Sequence, residues 1–303
     1  MHDFRSCLRS AAFGITALAC AGLATAQNWS TPVLVANGNG QAVSTNGAGT
    51  SAVIFTPLSG GLQASVNTGS GWSAPTTLTI VSAAANIVVA PNGDVLAVWS
   101  FRTTNTYTPV EAQAAFFRGG HWGNTLTIST NVYGNVSSLG LPSIAFDGFS
   151  QATVVWEQIT NPSPMSCALE SATGNASSGF SSAKTISTAS TCFGWNRLAV
   201  TSSGQAVAVE GVPGILSGAV VAIGRDSTGA WGAPVTIGAS GVYRQRQPNI
   251  GLGNDGTAVV VWLINGGVRY SVRSAGTWSA AAALPGVAGT EHVRGSREGE
   301  NPV

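Results

Sequence analysis

The sequence predicts an all-β fold, most simply a β-propeller of five four-stranded blades. Three observations predict it. A hairpin that ends in a large residue recurs along the chain, as in Asn86 to Trp99 and Asn249 to Trp262. An aromatic residue that opens a further strand recurs at Trp29, Trp72, Trp122, Phe180, Trp231 and Trp278, 43 to 58 residues apart. Prolines follow that aromatic at Pro32, Pro75 and Pro234. Proline cannot donate to a sheet ladder, so these strands belong on the outer edge of each blade.

The last unit, Pro248 to Leu284, shows the elements most clearly. Asn249 to Leu252 is a short innermost strand. Asp255-Gly256 predicts a type I′ turn, in which both central residues have positive φ. Ala258 to Trp262 is a β-branched run ending in an indole, the second strand. Val268 to Arg273 alternates apolar and polar residues at period two, the third strand. Ser274-Ala275-Gly276 turns the chain, and Trp278 opens the fourth. Earlier copies of the hairpin are Asn86 to Trp99, Ser143 to Trp156 and Arg197 to Glu210, with a weaker one at Gln41 to Phe55. In the Arg197 copy, Glu210 stands where the others have tryptophan. The tryptophans that end second strands, Trp99, Trp156 and Trp262, are expected in the core between blades. The aromatic residues that open fourth strands are expected to be structural too. A six-bladed propeller cut short of its last blade, and a sandwich of two sheets, are the alternative folds.

Residues 1–26 have the form of a secretory leader: Arg5 and Arg9, an apolar run from Ala11 to Leu23, and Ala24-Thr25-Ala26 as the cleavage site. The propeller is expected over 27–287 and an irregular tail over 288–303. These boundaries predict a secreted or periplasmic protein with no membrane segment once the leader is removed. Of 13 basic and 12 acidic residues, Arg5, Arg9 and Asp3 lie in the leader, so the remainder is balanced. A balanced chain with Lys184 as its one lysine has no basic face for nucleic acid. Cys167 and Cys192 are the cysteines beyond the leader, and in an exported chain such a pair is expected to form a disulfide. His121 and His292 suggest no zinc site, Asp94 and Asp255 read as turn residues, and no phosphate loop or serine elbow occurs, so no cofactor or metal is expected.

The second-strand hairpin and the Trp-Ser-x-Pro segments resemble the repeats of the sialidase-like β-propeller superfamily. Those repeats often carry an S-x-D-x-G-x-T-W box between the third and fourth strands. Gly224-Arg-Asp226-Ser-Thr-Gly229-Ala-Trp231 matches it best, with one residue more between Asp and Gly. The equivalent segments ending at Trp72, Trp122 and Trp278 lack the aspartate. The resemblance implies a propeller. The arginine trio, Tyr–Glu pair and acid/base Asp of sialidases have no counterparts here.

The functional candidates fall in the connections between second and third strands and between successive blades, which share one face. Glu157 and Glu111 are the weak candidates for catalytic carboxylates, since glycoside hydrolysis needs two flanking the bond. Arg102, Trp195, Tyr243, Arg244 and Arg246 are the candidate ligand-binding residues, Trp195 because it stands outside every repeat position. The leading expectation is a non-catalytic propeller that binds glycan or protein through this loop face. A sialidase-like glycoside hydrolase and a structural extracellular repeat protein are the alternatives.

Overall fold

A computed structural model describes residues 31–285 apart from 82–83, 103–109, 132–140, 163–164, 190–194, 213–217, 241–247 and 265–266. The described residues fold into five antiparallel sheets. The first contains β1 (Gly38–Thr45), β2 (Ser51–Pro57), β3 (Leu62–Asn67) and β4 (Thr76–Thr79). The second contains β5 (Ala85–Val89), β6 (Val95–Arg102), β7 (Val110–Arg118), β8 (His121–Trp122) and β9 (Leu126–Asn131). The third contains β10 (Ser143–Phe146), β11 (Ala152–Pro162), β12 (Met165–Asn175), β13 (Gly179–Phe180) and β14 (Lys184–Ala189). The fourth contains β15 (Trp195–Val200), β16 (Ala206–Val212), β17 (Gly218–Arg225) and β18 (Val235–Ser240). The fifth contains β19 (Asn249–Leu252), β20 (Ala258–Ile264), β21 (Gly267–Ser274), β22 (Thr277–Trp278) and β23 (Ala282–Ala283).

Each sheet is a meander in chain order, and the fourth strand is broken into a short first part and a second part that is longer in all but the fifth sheet. The aromatic residue pairs with the end of the third strand, as Asn67 with Trp72 and Arg225 with Trp231. The next residue still donates its N–H to that strand, from Ser73 to Val66 and from Gly232 to Gly224. Pairing then lapses around Pro75 and Pro234, where no N–H is available. The expectation that these prolines mark an outer edge holds.

Sheets stack face to face in sequence order. The inner strands meet in the series β1–β5–β10–β15–β19. Side chains tie them: Gln41 accepts from the Ala85 N–H at 2.8 Å, Ser44 from Val89 at 3.0 Å, and Ser143 donates to the Asn196 carbonyl at 3.0 Å. Between sheets the core is Val, Ala, Leu, Ile and Trp from alternate positions of the second and third strands. Ile54, Leu62, Val95 and Trp99 fill the first seam, Val98, Val154 and Trp156 the second, Val155, Leu169, Ala208 and Ile223 the third, and Val209, Val260 and Trp262 the fourth. Trp99, Trp156 and Trp262 are buried to within 2 %, as expected of residues at equivalent positions. No comparable seam joins β19 to β1 among the described residues. The free face of the first sheet leaves Val43 72 % exposed, and that of the fifth leaves Val259 40 % and Leu263 44 % exposed.

The hairpin turns differ from the expectation. In the fifth sheet Gly256 donates to the Gly253 carbonyl and Gly253 to the Thr257 carbonyl. Gly256 has φ +82° while Asp255 stays in ordinary space. This is a type I turn followed by a left-handed residue, not a type I′ turn. Asp255 sits inside the turn and its carboxylate accepts the Thr257 N–H at 2.9 Å, which fixes that geometry. The same five-residue turn recurs at Asn46–Thr50, Ala90–Asp94, Asp147–Gln151 and Thr201–Gln205. Type I′ pairs occur instead between third and fourth strands, at Gly119-Gly120 and Ala275-Gly276.

Neighbouring hairpin turns are also bonded. Asn46 donates to the Ala90 carbonyl at 2.8 Å, Gly148 to the Ser202 carbonyl at 3.0 Å, and Ser202 to Asn254 at 2.8 Å. Cys167 lies on β12 and is buried; Cys192 lies outside the described residues, as do the leader and the tail. No helix among the described residues is long and apolar enough to cross a membrane.

Candidate functional site

Two constellations stand out, at opposite ends of the sheets. The first is a groove between the fourth and fifth sheets, a cavity of about 420 Å³ lined by Gln205, Arg225, Asp226, Trp231, Arg273 and Trp278, among others. Trp231 and Trp278 are the residues that open the fourth strands of these two sheets. Both are half-buried: one part of each indole packs on the seam and the rest faces the groove. In each sheet the residue paired with the indole is an arginine, Arg225 with Trp231 and Arg273 with Trp278. The equivalent pairs elsewhere are Asn67 with Trp72, Phe117 with Trp122 and Gly174 with Phe180. Only the fourth and fifth sheets therefore combine an indole with a guanidinium at this place among the described residues.

Arg225 is fixed. Its guanidinium carbon lies 5.5 Å from the Trp231 ring centroid, a cation–π distance, and an Nη donates to the Gly204 carbonyl at 2.8 Å. It is 7 % exposed, yet its Nε has no partner among the described residues. Burial pulls its pKa down, and Asp147 and Asp226 pull it back up, so it stays a cation. Asp226 accepts from the Thr228 hydroxyl at 2.7 Å, the Thr228 N–H at 2.9 Å and the Ala230 N–H at 3.0 Å. These bonds, the hydroxyl first, hold its carboxyl below the usual range. Gly224 opens the floor: a Cβ there would touch Arg273 at 3.6 Å.

The second constellation lies in the seam between the third and fourth sheets, near the ends of β11 and β16. Glu210 occupies the place where the other hairpins carry tryptophan. It pairs across the ladder with Asn196 of β15, and Glu157 approaches from β11. All three are within 2 % of complete burial. Burial, and then the negative charge of Glu157, push the Glu210 carboxyl up to about 7.

Of the residues singled out from sequence, Glu157 is thus buried on β11, and its charge acts on Glu210. Arg102, Glu111 and Trp195 lie on β6, β7 and β15 at the same end of their sheets as Glu157, and their side chains are outside the described residues. Tyr243, Arg244 and Arg246 are outside them altogether. Sequence reasoning took Trp231 and Trp278 as structural. The signal that marked them was available: each faces an arginine across a short turn. A further groove, about 390 Å³ on the free face of the first sheet, is lined by Val35, Val43, Val53 and Phe55 and by no charged side chain.

No known protein-family model matches the chain, and no curated protein matches it. Solved structures do. A protein of unknown function from Dyadobacter fermentans matches with TM-score 0.50 and 11 % identity, covering 83 % of this chain and 85 % of its own. A fungal lectin from Aleuria aurantia, described by its six-bladed β-propeller fold and novel fucose recognition, matches with TM-score 0.51 and 12 % identity over 83 % and 80 %. The fold is a β-propeller. A looser likeness, TM-score 0.42 and 12 % identity over 83 % and 64 %, is to a Bombyx mori β-fructofuranosidase. At such identities the likeness is of backbone alone, and fold does not fix function. The propeller in hand presents five sheets.

Proposed function

We propose that the chain is an exported, non-catalytic, glycan-binding propeller, and that the groove between its fourth and fifth sheets is a sugar site. The observation that carries this is the set of Trp231, Trp278, Arg225 and Arg273 around one cavity of about 420 Å³. A half-buried indole offers an apolar face for the C–H side of a pyranose ring. Guanidinium, carboxylate and carboxamide offer planar, directional partners for its hydroxyls. The unpaired Nε of Arg225 is a buried donor for which a sugar oxygen is a suitable acceptor. The Aleuria aurantia lectin recognises fucose, which fits a sugar ligand without naming the one bound here. Export and a Cys167–Cys192 disulfide complete the proposal, and a thiol count on the denatured, unreduced protein tests the bond.

The hydrolase alternative draws on the Glu157–Glu210 pair. Both carboxylates are almost completely covered, at 1 % and 2 % exposed, so a glycosidic bond cannot reach between them in this state. The binding reading is therefore preferred. A glycan array on the protein from Gln27 onward tests it, with Trp231→Ala and Trp278→Ala beside Trp195→Ala. Loss of signal in the first two places the sugar in the groove. Loss only in Trp195→Ala moves it to the loop face, and no signal on any sugar sinks the proposal.

A further inference from the structure

The fifth sheet carries an apolar face on which no further sheet packs among the described residues. Side chains of a strand alternate between its two faces. On β20, Ala258, Val260 and Trp262 pack on the fourth sheet, so Val259, Val261 and Leu263 point away from it. Their cross-strand partners on β21 are Val272, Tyr270 and Val268, so this outward face bears no charge. Val259 and Val261 precede Trp262 as Leu96 and Val98 precede Trp99, and as Val207 and Val209 precede Glu210. Leu96, Val98, Val207 and Val209 are completely buried, because the following sheet lays Trp156 or Trp262 on them. Val259 is instead 40 % exposed and Leu263 44 %.

The first sheet ends the stack with the opposite kind of face. Ala52 and Ile54 of β2 pack on the second sheet, so Val53 and Phe55 point away from it. Val43 of β1 is directly opposed to Val53. Phe55 stands at the repeat position of Trp99 and Trp262, whose rings pack on an aliphatic face of the sheet before. Val43, Val53 and Phe55 line the groove of about 390 Å³, and Val43 is 72 % exposed. One end of the stack is therefore an aliphatic face without its aromatic, and the other an aromatic face without its aliphatic partner. Open apolar faces of this kind mark places where a protein meets another.

We propose that the free faces of the first and fifth sheets are the two walls of a docking site for one further four-stranded β-sheet, presented by a partner polypeptide. The seams within the chain set the chemistry of that sheet. Its second strand ends in an aromatic residue turned to Val259 and Leu263, and its other face is aliphatic, turned to Val53 and Phe55. The size follows from the backbone likeness: 83 % of this chain matches 80 % of the six-bladed Aleuria aurantia lectin, which leaves about one blade of that fold without a counterpart. A second whole copy would bring its other sheets with it. The chain's own tail does not fit either. Residues 288–303 carry five charged side chains against Val293 and Val303 and are far fewer than a sheet such as Ala85–Asn131 requires. The site is independent of the sugar groove, which lies on the other face of the fifth sheet.

The test compares the full chain with one that carries a second copy of residues 81–131 after Leu284, joined through a linker that a specific protease cuts. That segment holds the second sheet, with Trp99 on one face and Leu96 and Val98 on the other. The unextended chain is expected to bind anilinonaphthalene sulfonate, a dye for open apolar surface. The extended chain is expected to lose most of that signal and to melt about 5 °C higher. Once the linker is cut, the added sheet is expected to stay with the chain through gel filtration. Val259→Asp is expected to move the melting of the unextended chain by less than about 2 °C, as at other exposed positions, and to abolish the gain in the extended one. The proposal is overturned if the added sheet stays open to proteolysis with melting unchanged, or separates once cut. It is overturned equally if Val259→Asp harms the unextended chain as much as Val207→Asp, a seam substitution, does. A chain that sediments as a dimer and binds no dye overturns it too, because a second copy then covers both faces.

Discussion

Gly238 and Trp262 fit so closely that a methyl group on Gly238 would lie 2.5 Å from Cζ2 of the indole. Gly238 sits on β18 beside a break in its register with β17, and the indole donates to the neighbouring Ala239 carbonyl at 3.0 Å. The ring is 2 % exposed and is held by Val209 and Val220, so it has nowhere to go. Gly238→Ala is expected to destabilise the fold by about 1–3 kcal/mol, the usual cost of overpacking. Denaturant unfolding reads this as a lower midpoint at constant slope, and an unchanged midpoint would show that the ring is not pinned there.

The three core indoles are not equally bonded. Trp262 has its carbonyl, and Trp99 donates to Gln113 at 3.1 Å. The Trp156 Nε1 is buried with no partner among the described residues. Exchanging indole for phenyl removes from Trp262 the donor that bonds the Ala239 carbonyl. At Trp156 the same exchange removes a donor that bonds to nothing among the described residues. Trp156→Phe is expected to cost about 1 kcal/mol less than Trp262→Phe, the net worth of one hydrogen bond. Paired unfolding curves compare the two, and equal losses would show that ring volume alone sets the cost.

These indoles were legible because a strand of period two puts every other residue in a seam, and the repeat aligns the seams. The turn at Asp255-Gly256 was not, because its type depends on where the hydrogen bonds close. They close at Gly253, and no local residue announces that. Glu157 and Glu210 were each visible as exceptions to the repeat. Their meeting was not, since it depends on how one sheet lies against the next. The groove was missed for a related reason: Trp231 and Trp278 serve the core with one part of the ring, and only the stacking of the fourth and fifth sheets shows what the other part faces.

Asp226 closes the turn that leads into Trp231, and its bonds to Thr228 and Ala230 hold its pKa below the ordinary 3.8. A depressed folded pKa adds stability that is present above the unfolded value and is lost as pH falls through the folded one. Asp226→Ala is therefore expected to lower the melting temperature near neutral pH and to lose that effect progressively as the pH falls below the ordinary carboxylate range. The turn also carries Trp231 into the groove, so the same variant is expected to weaken the proposed sugar binding. A melting difference that persists unchanged in acid would mean that the carboxylate charge is not what holds the turn.

Glu210 has the opposite sign. Its folded pKa is raised from 4.5 to about 7 by burial and by Glu157, so the folded state holds the proton more tightly than the unfolded chain does. The stabilisation is complete below the unfolded value and is lost as pH rises through about 7. Glu157, across the seam on β11, is the charged group that acts on it. Glu210→Gln keeps the shape and has no proton to lose. It is expected to match wild type near pH 4.5 and to exceed it at pH 8 by up to about 3 kcal/mol, the value of a shift of this size. Unfolding curves of both proteins taken across this range read the difference. A stability difference that does not change with pH would mean that Glu210 is charged in the seam and already paired.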